Sequence, residues 1–292
     1  MRQILALLLG IGMLTLVTAT SYPDDQDPTV RAGGSTTLLP IMANCSSEFM
    51  EKYQTWDRVD ASLPKKTTTV FVTGGGSGFG VKSLLNGVIH IGMVSRDLKE
   101  QEKKMLGDHQ PHLVGKDAVA IAVNARNPIA NRKKGFAPPE LAAIFSGEIK
   151  TYQELDRSLP AKPIVLLTRD ASAGSTEIFQ EKIMGEKKLS PKALQLPSQG
   201  ALLEKLQSNS NAIAYISSGL ALHSKNLKAF ALENVEPTDA NVTAGAYPLA
   251  RPLLLVVRGT PVPVVRHFVD YALNSCQKMV GAHGFVPAKS VN

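Results

Sequence analysis

Three short segments combine glycine with hydroxyl side chains between an apolar run and a helical pattern. They are residues 33–40 (GGSTTLLP), 73–80 (TGGGSGFG) and 168–176 (TRDASAGST). A helix N-terminus presents unpaired backbone N–H groups and the positive end of the helix dipole. Glycine permits close backbone approach to a ligand, and hydroxyls add donors at the same place. Each segment is therefore typical of an anion-binding turn.

One such turn alone is more often only a helix start, because Ser and Thr are common N-cap residues. Three of them in one chain favour a function. The third also carries Arg169, a permanent cation whose forked donors suit tetrahedral oxyanions. The predicted chemistry is the binding of a small anion, without a reaction.

The glycine-rich residues do not fit the motifs of two enzyme classes. Val81 separates Gly80 from Lys82, which breaks the Gly-Lys-Ser/Thr sequence of a nucleotide-binding phosphate loop. Around Ser77, a serine hydrolase elbow would need glycine where Phe79 stands. The six histidines form no ligand-spaced cluster, and no Cys-x-x-Cys occurs. We therefore predict no catalytic residue, no metal and no cofactor.

Apolar strand-like runs alternate with helical patterns along nearly the whole chain. The predicted strands are residues 29–32, 67–72, 88–94, 118–123, 164–167, 212–216 and 253–257. The predicted helices are residues 38–53, 81–86, 139–145, 176–184, 201–208 and 264–280. This alternation predicts an α/β fold of parallel sheets with helices on both faces.

The composition is that of a globular protein with a basic surface. The chain has 292 residues, of which 43% are hydrophobic and 20% charged, and its formal net charge is +7. A basic surface can attract nucleic acid, anionic membranes or small anions. Because the basic residues are scattered and aromatic residues make up only 5%, we do not predict nucleic acid as a partner.

The first residues are typical of an export signal. Arg2 precedes an apolar run at residues 4–17 that is too short to cross a bilayer comfortably. Small residues at positions 18–21 follow, so cleavage is predicted there, and the mature protein is predicted in the periplasm. The alternative is a retained membrane anchor.

Only two cysteines occur, Cys45 and Cys276, and both would remain in the mature chain. In an oxidising space they could pair and tie the N-terminal segment to the C-terminal helix. They could equally be free buried thiols, because sequence does not give the distance between them. Both readings stay open.

With these residues, the chain resembles the substrate-binding proteins of phosphate ABC transporters, within the periplasmic binding protein superfamily. The matching segments, in the family's order, are residues 33–40, 74–80, 91–96, 117–124, 169–176, 214–219 and 284–288. The resemblance implies a two-lobed type II α/β fold, each lobe a mainly parallel sheet flanked by helices. It also implies a non-enzymatic receptor that closes around inorganic phosphate and delivers it to a membrane permease.

The predicted division of the chain follows from this resemblance and from loop-like stretches near residues 115–117 and 245–251. Residues 1–21 form the signal peptide. Residues 22–116 together with 248–292 form lobe 1, and residues 117–247 form lobe 2. The protein is predicted to be a monomer.

The resemblance also implies which residues bind phosphate. The predicted ligands are Ser35, Thr36, Thr37, Ser77, Ser95, Arg169, Ser172, Gly174 and Ser175. Arg96, Asp97 and Thr176 are further candidates. The chain departs from the family at Ala173, where members often carry the serine of Ser-Gly-Thr; the candidates to supply the missing hydroxyl are Ser172 and Thr176.

A carboxylate in the site would favour phosphate over sulfate. Phosphate carries a proton near neutral pH and sulfate does not, so a site with a required acceptor discriminates between them. The candidate acceptors are Asp97, Asp117 and Asp170, with Asp97 preferred. The alternatives are a receptor for sulfate, molybdate or a phosphonate, and an adaptor or adhesion protein on the same fold. An exported phosphatase ranks third.

Overall fold

The computed structural model describes residues 28–289, so the predicted signal peptide lies outside the described residues. The strands are β1 Thr29–Gly34, β2 Thr69–Thr73, β3 Ile91–Val94, β4 His109–Asn124, β5 Gly135–Phe136, β6 Val165–Arg169, β7 Leu194–Leu196, β8 Ala212–Ser217, β9 Leu227–Leu232, β10 Ala250–Arg258 and β11 Val286–Pro287. The helices are α1 Leu39–Tyr53, α2 Ser77–Leu85, α3 Glu100–Leu106, α4 Pro138–Ser146, α5 Tyr152–Leu155, α6 Gly174–Phe179, α7 Gln199–Ser208, α8 Ser218–Leu222, α9 Asp239–Thr243, α10 Pro263–Asn274 and α11 Gln277–Ala282. A short 3₁₀ helix covers Trp56–Arg58, and a π-helical turn, Gln180–Met184, continues α6.

The strands form two sheet regions that share one long strand. Along the sheet the order is β2-β1-β3-β10-β4-β8-β6-β7, with β11 and β9 also pairing with β4. The first part of β4 pairs with β10 and β11, and its last residues pair with β8 and β9. The sixteen-residue β4 therefore runs from one lobe into the other. This arrangement confirms the predicted two-lobed α/β fold.

Strand direction separates the interior of each lobe from the connection between lobes. β1 pairs in parallel with β2 and β3, and β6 pairs in parallel with β7 and β8. Every pairing of β4 or β10 is antiparallel. Parallel strands need helical crossovers, and the alternation in the sequence predicted those. The antiparallel pairings of β4 and β10 at the connection were not indicated by any such pattern in the sequence.

Each lobe has its own buried apolar cluster. The cluster of the first lobe takes residues 30–114 and 253–285, and the main cluster of the second takes residues 118–249. These spans support the predicted lobe boundaries near residues 116 and 248, which remain predictions. Within residues 28–289, no helix combines the length and apolarity that a membrane crossing requires.

Helix α1 shows how the sequence builds the first of these clusters. Its buried residues Ile41, Met42, Cys45 and Phe49 recur at helical spacing and so line one face. Phe49 packs edge-on against Phe268 of α10, with ring centroids 5.4 Å apart. Helix α10 therefore returns to the first lobe.

A disulfide joins Cys45 to Cys276, with their Cα atoms 5.8 Å apart. This settles the pairing that the sequence left open. The bridge spans a sequence separation of 231 residues, so it strongly restricts the unfolded chain.

We expect the double variant Cys45→Ala, Cys276→Ala to lose about 2–4 kcal/mol of unfolding free energy in urea denaturation. Both cysteines belong to the first-lobe cluster, so anion affinity is the control and should not change. Equal stability of the variant and the parent would contradict the prediction.

Candidate anion-binding site

The three glycine- and hydroxyl-rich turns meet at one small cavity between the lobes. The turns connect β1 to α1, β2 to α2 and β6 to α6. The cavity has about 150 Å³ of space between its atoms, part of it open to solvent, and is lined by Ser35, Thr36, Thr37, Gly76, Ser77, Ser95, Arg169, Ala173, Gly174, Ser175 and Gln199. Eight of the nine residues predicted as ligands stand in this wall, with Ser172 the exception. Segments far apart in the sequence thus form one polar wall.

Two glycines allow the walls to approach closely. Gly34 has a φ of +134°, and a Cβ there would lie 2.2 Å from the carbonyl oxygen of Met93. A Cβ on Gly174 would lie 2.6 Å from Ser77 Oγ and 2.9 Å from Ser95 Oγ. Helix α6 of the second lobe therefore reaches the hydroxyls of the first lobe only because residue 174 has no side chain.

The helices that start at the cavity have no side-chain caps. The N-cap residues Leu38, Gly76 and Ala173 make no capping hydrogen bond to their helices. The first N–H groups of a helix have no acceptor within it, so they are available to a ligand wherever no other segment accepts from them, as the Ser172 carbonyl does from Gly78 of α2. In α6 these groups belong to Gly174 and Ser175, which line the cavity. Backbone donors therefore add to the hydroxyls of the same residues.

Arg169 brings a positive charge to the cavity while it is almost fully buried, with 1% exposure. Its Nε donates to the Leu196 carbonyl (2.8 Å) and its Nη2 to the Pro197 carbonyl (3.0 Å). Nη2 also pairs with Asp170 (3.0 Å), and Nη1 donates to Thr36 Oγ1 (2.6 Å). Burial lowers the pKa of Arg169 and the Asp170 carboxylate opposes that effect. The guanidinium stays protonated at neutral pH, since arginine ionises far above it.

A second arginine, which sequence reasoning missed, lies behind the cavity. Arg251 on β10 faces Asp117 on β4, and both side chains are fully buried. Its Nε and Nη2 donate to Asp117 Oδ2 at 3.1 Å and 2.7 Å. The same guanidinium donates to Thr37 Oγ1 at 3.2 Å and to Ser95 Oγ at 3.3 Å. Arg251 therefore connects the lobe crossing to two cavity hydroxyls.

Gln199 lines the cavity and was also missed by sequence reasoning. It begins α7, its Nε2 donates to Ser175 Oγ (3.2 Å), and its Oε1 accepts from the Ser217 N–H (3.2 Å). Neither Gln199 nor Arg251 belongs to a local motif. Their contacts depend on strand register and on helix placement, and local sequence does not give these.

Four of the sequence candidates lie outside the cavity wall. Ser172 ties the lobes together beside it: its Oγ donates to the Gly75 carbonyl (2.9 Å) and its own carbonyl accepts from the Gly78 N–H (3.0 Å). Thr176 Oγ1 donates to the Arg169 carbonyl (3.2 Å). The remaining two are Arg96, which is buried in an ion cluster, and Asp97, which is exposed.

The candidate proton acceptors are also held away from the cavity. Asp117 accepts from Arg251 with one oxygen and from Ser217 and Ser218 (3.0 Å each) with the other. Burial raises the pKa of Asp170, but the Ser172 hydrogen bonds and the charge of Arg169 outweigh it and lower the pKa overall. Asp170 is thus an ionised partner of Arg169 at neutral pH.

An ion cluster joins the lobes at the side of the cavity. Arg96 of the first lobe pairs with Glu102 of α3 (2.7 Å) and with Glu177 of α6 (2.9 Å). Lys99 also contacts Glu177. Glu177 and Arg96 are only 12% and 4% exposed, so solvent screens this pair less than a surface pair.

We expect Glu177→Gln to weaken anion affinity about three- to tenfold, because it removes an ionic contact made only when the lobes are together. The measurement is a titration with inorganic phosphate, the anion that the sequence predicts. The matched control is Glu181→Gln, whose carboxylate pairs only with its exposed neighbour Lys182. Equal affinity of the Glu177 variant, the Glu181 variant and the parent would contradict a role for the cluster in closure.

Comparison with known proteins gives a family match and a related sequence. A family model described as a PBP superfamily domain matches residues 19–275. The phosphate-binding protein PstS of Staphylococcus haemolyticus is 25% identical over 266 residues, which is 87% of this chain and 79% of that protein.

Two solved structures also resemble the chain. One, from Clostridium perfringens, is assigned to phosphate ABC transport as a substrate-binding protein and contains phosphate; it has a TM-score of 0.74 at 26% identity and covers 89% of this chain and 100% of its own. The other, an ABC-type phosphate transport receptor from Vibrio cholerae, has a TM-score of 0.68 at 25% identity and covers 88% and 99%. Both similarities extend over nearly the whole described chain.

Proposed function

The chain belongs to the PBP superfamily, and on that premise we propose that it is an extracytoplasmic receptor for inorganic phosphate. It binds the anion between its lobes and delivers it to the permease of an ABC transporter. The observation that carries this proposal is the cavity itself, where donors of three turns and the buried Arg169 converge. The relatives described as phosphate-binding support the choice of anion.

The proposed ligands are the donors of the cavity wall. They are Ser35, Thr36, Thr37, Ser77, Ser95, Arg169, Gly174 and Ser175, to which we add Gln199 as a support of Ser175. None of these groups is arranged as a nucleophile with a base, since the described wall contains no histidine or carboxylate. The receptor is therefore proposed to bind and release its ligand unchanged.

Delivery requires the lobes to separate and close. The contacts of Ser172 with the Gly75 and Gly78 backbone, and of Arg169 with Thr36, join lobe to lobe across the cavity. A bound anion that contacts both walls would favour this closed arrangement over an open one. The hinge is proposed at the crossing strands β4 and β10. The receptor is proposed to work as a monomer in the periplasm, after removal of residues 1–21.

Calorimetric titration of ligand-stripped protein with phosphate tests the proposal. We expect one-to-one binding with micromolar or tighter affinity, and a smaller radius of gyration in X-ray scattering when phosphate is present. The control for an enzymatic role is a chromogenic phosphoester, which should not be turned over. Absence of phosphate binding in protein that is folded by circular dichroism would refute the receptor function and favour an adaptor.

A further inference from the structure

The hydroxyl groups of the cavity share one arrangement: each oxygen accepts a hydrogen bond from an N–H group of the protein. The pairs are Thr36 with Arg169 Nη1 (2.6 Å), Thr37 with Arg251 Nη2 (3.2 Å), Ser95 with Arg251 Nη1 (3.3 Å), Ser77 with the Ser95 N–H (3.0 Å), Ser175 with Gln199 Nε2 (3.2 Å) and Ser35 with the Thr37 N–H (3.2 Å). A guanidinium, an amide NH₂ and a backbone N–H can only donate. These bonds therefore fix the hydroxyl oxygens as acceptors towards the protein.

The consequence for a ligand is that the hydroxyl hydrogens are left to donate to it. A hydroxyl has a single hydrogen and two lone pairs, and here one lone pair already accepts from the protein, so the hydrogen is free to turn towards the cavity. Ser77 and Ser95 also contact each other at 3.3 Å, so one of these two can donate to the other. Together with the N–H groups at the start of α6, the hydroxyls present mainly hydrogen-bond donors to the cavity.

The charged groups around the cavity also favour an anion that accepts hydrogen bonds. The cations are Arg169 on β6 and Arg251 on β10. The carboxylates nearest to them are already occupied: Asp117 by Arg251 and the Ser217 hydroxyl, and Asp170 by Arg169 and the Ser172 N–H. Within residues 28–289, no aspartate, glutamate or histidine belongs to the cavity wall. The wall thus offers positive charge and donors, but no ionised acceptor for a proton on the ligand.

We propose that this cavity selects dianionic tetrahedral oxyanions as a class and does not require a proton on the ligand. This inference rests on the proposed function and specifies it: phosphate binds as its dianion, and sulfate competes with phosphate. Discrimination of about 10⁴ or more arises where a site is built around a hydrogen bond that the rejected ligand cannot make. Such a bond would need an acceptor for the phosphate hydroxyl, and the wall offers uncharged hydroxyl oxygens with one lone pair left, which do not repel a fully ionised anion as a carboxylate would.

The first test is competition between the two anions at two pH values, below and above the second ionisation of phosphate. We expect sulfate to displace phosphate with an affinity within about 100-fold of it. We also expect phosphate affinity to rise with pH as the dianion replaces the monoanion, while sulfate affinity stays level. Phosphate binding without measurable sulfate competition would overturn this inference and leave the receptor function standing. Failure of both anions to bind would overturn both.

The second test adds the carboxylate that the cavity lacks. Ala173 lines the cavity at the N-cap of α6, a position that aspartate favours, so Ala173→Asp should fold. We expect it to weaken sulfate binding at least about tenfold more than phosphate binding, because only phosphate can supply a proton to the new carboxylate. The matched control is Ala171→Asp, which adds the same charge at an exposed position of the same turn. An equal loss for both anions in the Ala173 variant would contradict the inference.

Discussion

Replacement of Arg169 by alanine is expected to weaken phosphate binding by at least about 100-fold. Hydrogen bonds to charged groups contribute about 1.5–3 kcal/mol, and each 1.4 kcal/mol corresponds to about tenfold in affinity. Four N–H groups of this guanidinium are held by Leu196, Pro197, Asp170 and Thr36. The fifth, on Nη1, remains for the anion. Alanine removes this donor, the charge and the support of Thr36 together.

Two further variants separate these contributions. Arg169→Lys retains the charge without the fork and should fall between the parent and the alanine variant. Arg126→Ala removes a positive charge from an exposed site of the same lobe and should leave phosphate affinity unchanged. The measurement is calorimetric titration of each variant, with folding checked by circular dichroism. A folded Arg169→Ala protein within about threefold of the parent would remove Arg169 from the proposed site.

The largest effect on stability is expected at the buried pair of Asp117 and Arg251. Asp117→Ala leaves the Arg251 guanidinium fully buried without its counter-charge, which typically costs about 3–5 kcal/mol. Ser217 and Ser218 also lose the carboxylate that accepts their hydroxyl hydrogens. The measurement is the free energy of unfolding in urea.

A double-mutant cycle with Arg251→Met provides the control. Replacement of both partners of a buried pair by apolar groups is often nearly neutral, whereas removal of one partner is not. We therefore expect the double variant to be more stable than Asp117→Ala alone. A loss below about 1 kcal/mol in the single variant, or a double variant as unstable as the sum of the two losses, would show that the pair is not coupled as the distances indicate.

The sequence was sufficient for local features of the site and insufficient for contacts between distant segments. The turns of Ser35, Ser77 and Gly174 were recognisable because glycine and hydroxyl residues at helix starts form a local pattern. The pairing of Arg251 with Asp117 joins residues 134 positions apart and depends on the register of β10 against β4. No local pattern encodes that register.

The residues after β3 illustrate the same limit. The sequence placed Arg96 and Asp97 together as candidates, because both follow the strand-end Ser95. In the structure Arg96 is drawn inwards by Glu102 and by Glu177 of the other lobe, and Asp97 faces solvent. The partner of Arg96 that decides between these orientations, Glu177, lies 81 residues further along the chain in helix α6, so the sequence could not indicate it.

The first-lobe cluster draws on two separate parts of the chain, and this affects the order in which the protein folds. A polypeptide is synthesised from its N-terminus, and the buried members of the main second-lobe cluster all lie within residues 118–249. The first-lobe cluster also needs residues 253–285, so it stays incomplete until nearly the whole chain has emerged. We therefore expect the middle of the chain to mature first and Cys45 to wait as a thiol. Its bond to Cys276 can form only after residue 276 has emerged, and until then Cys45 can be oxidised only by another molecule.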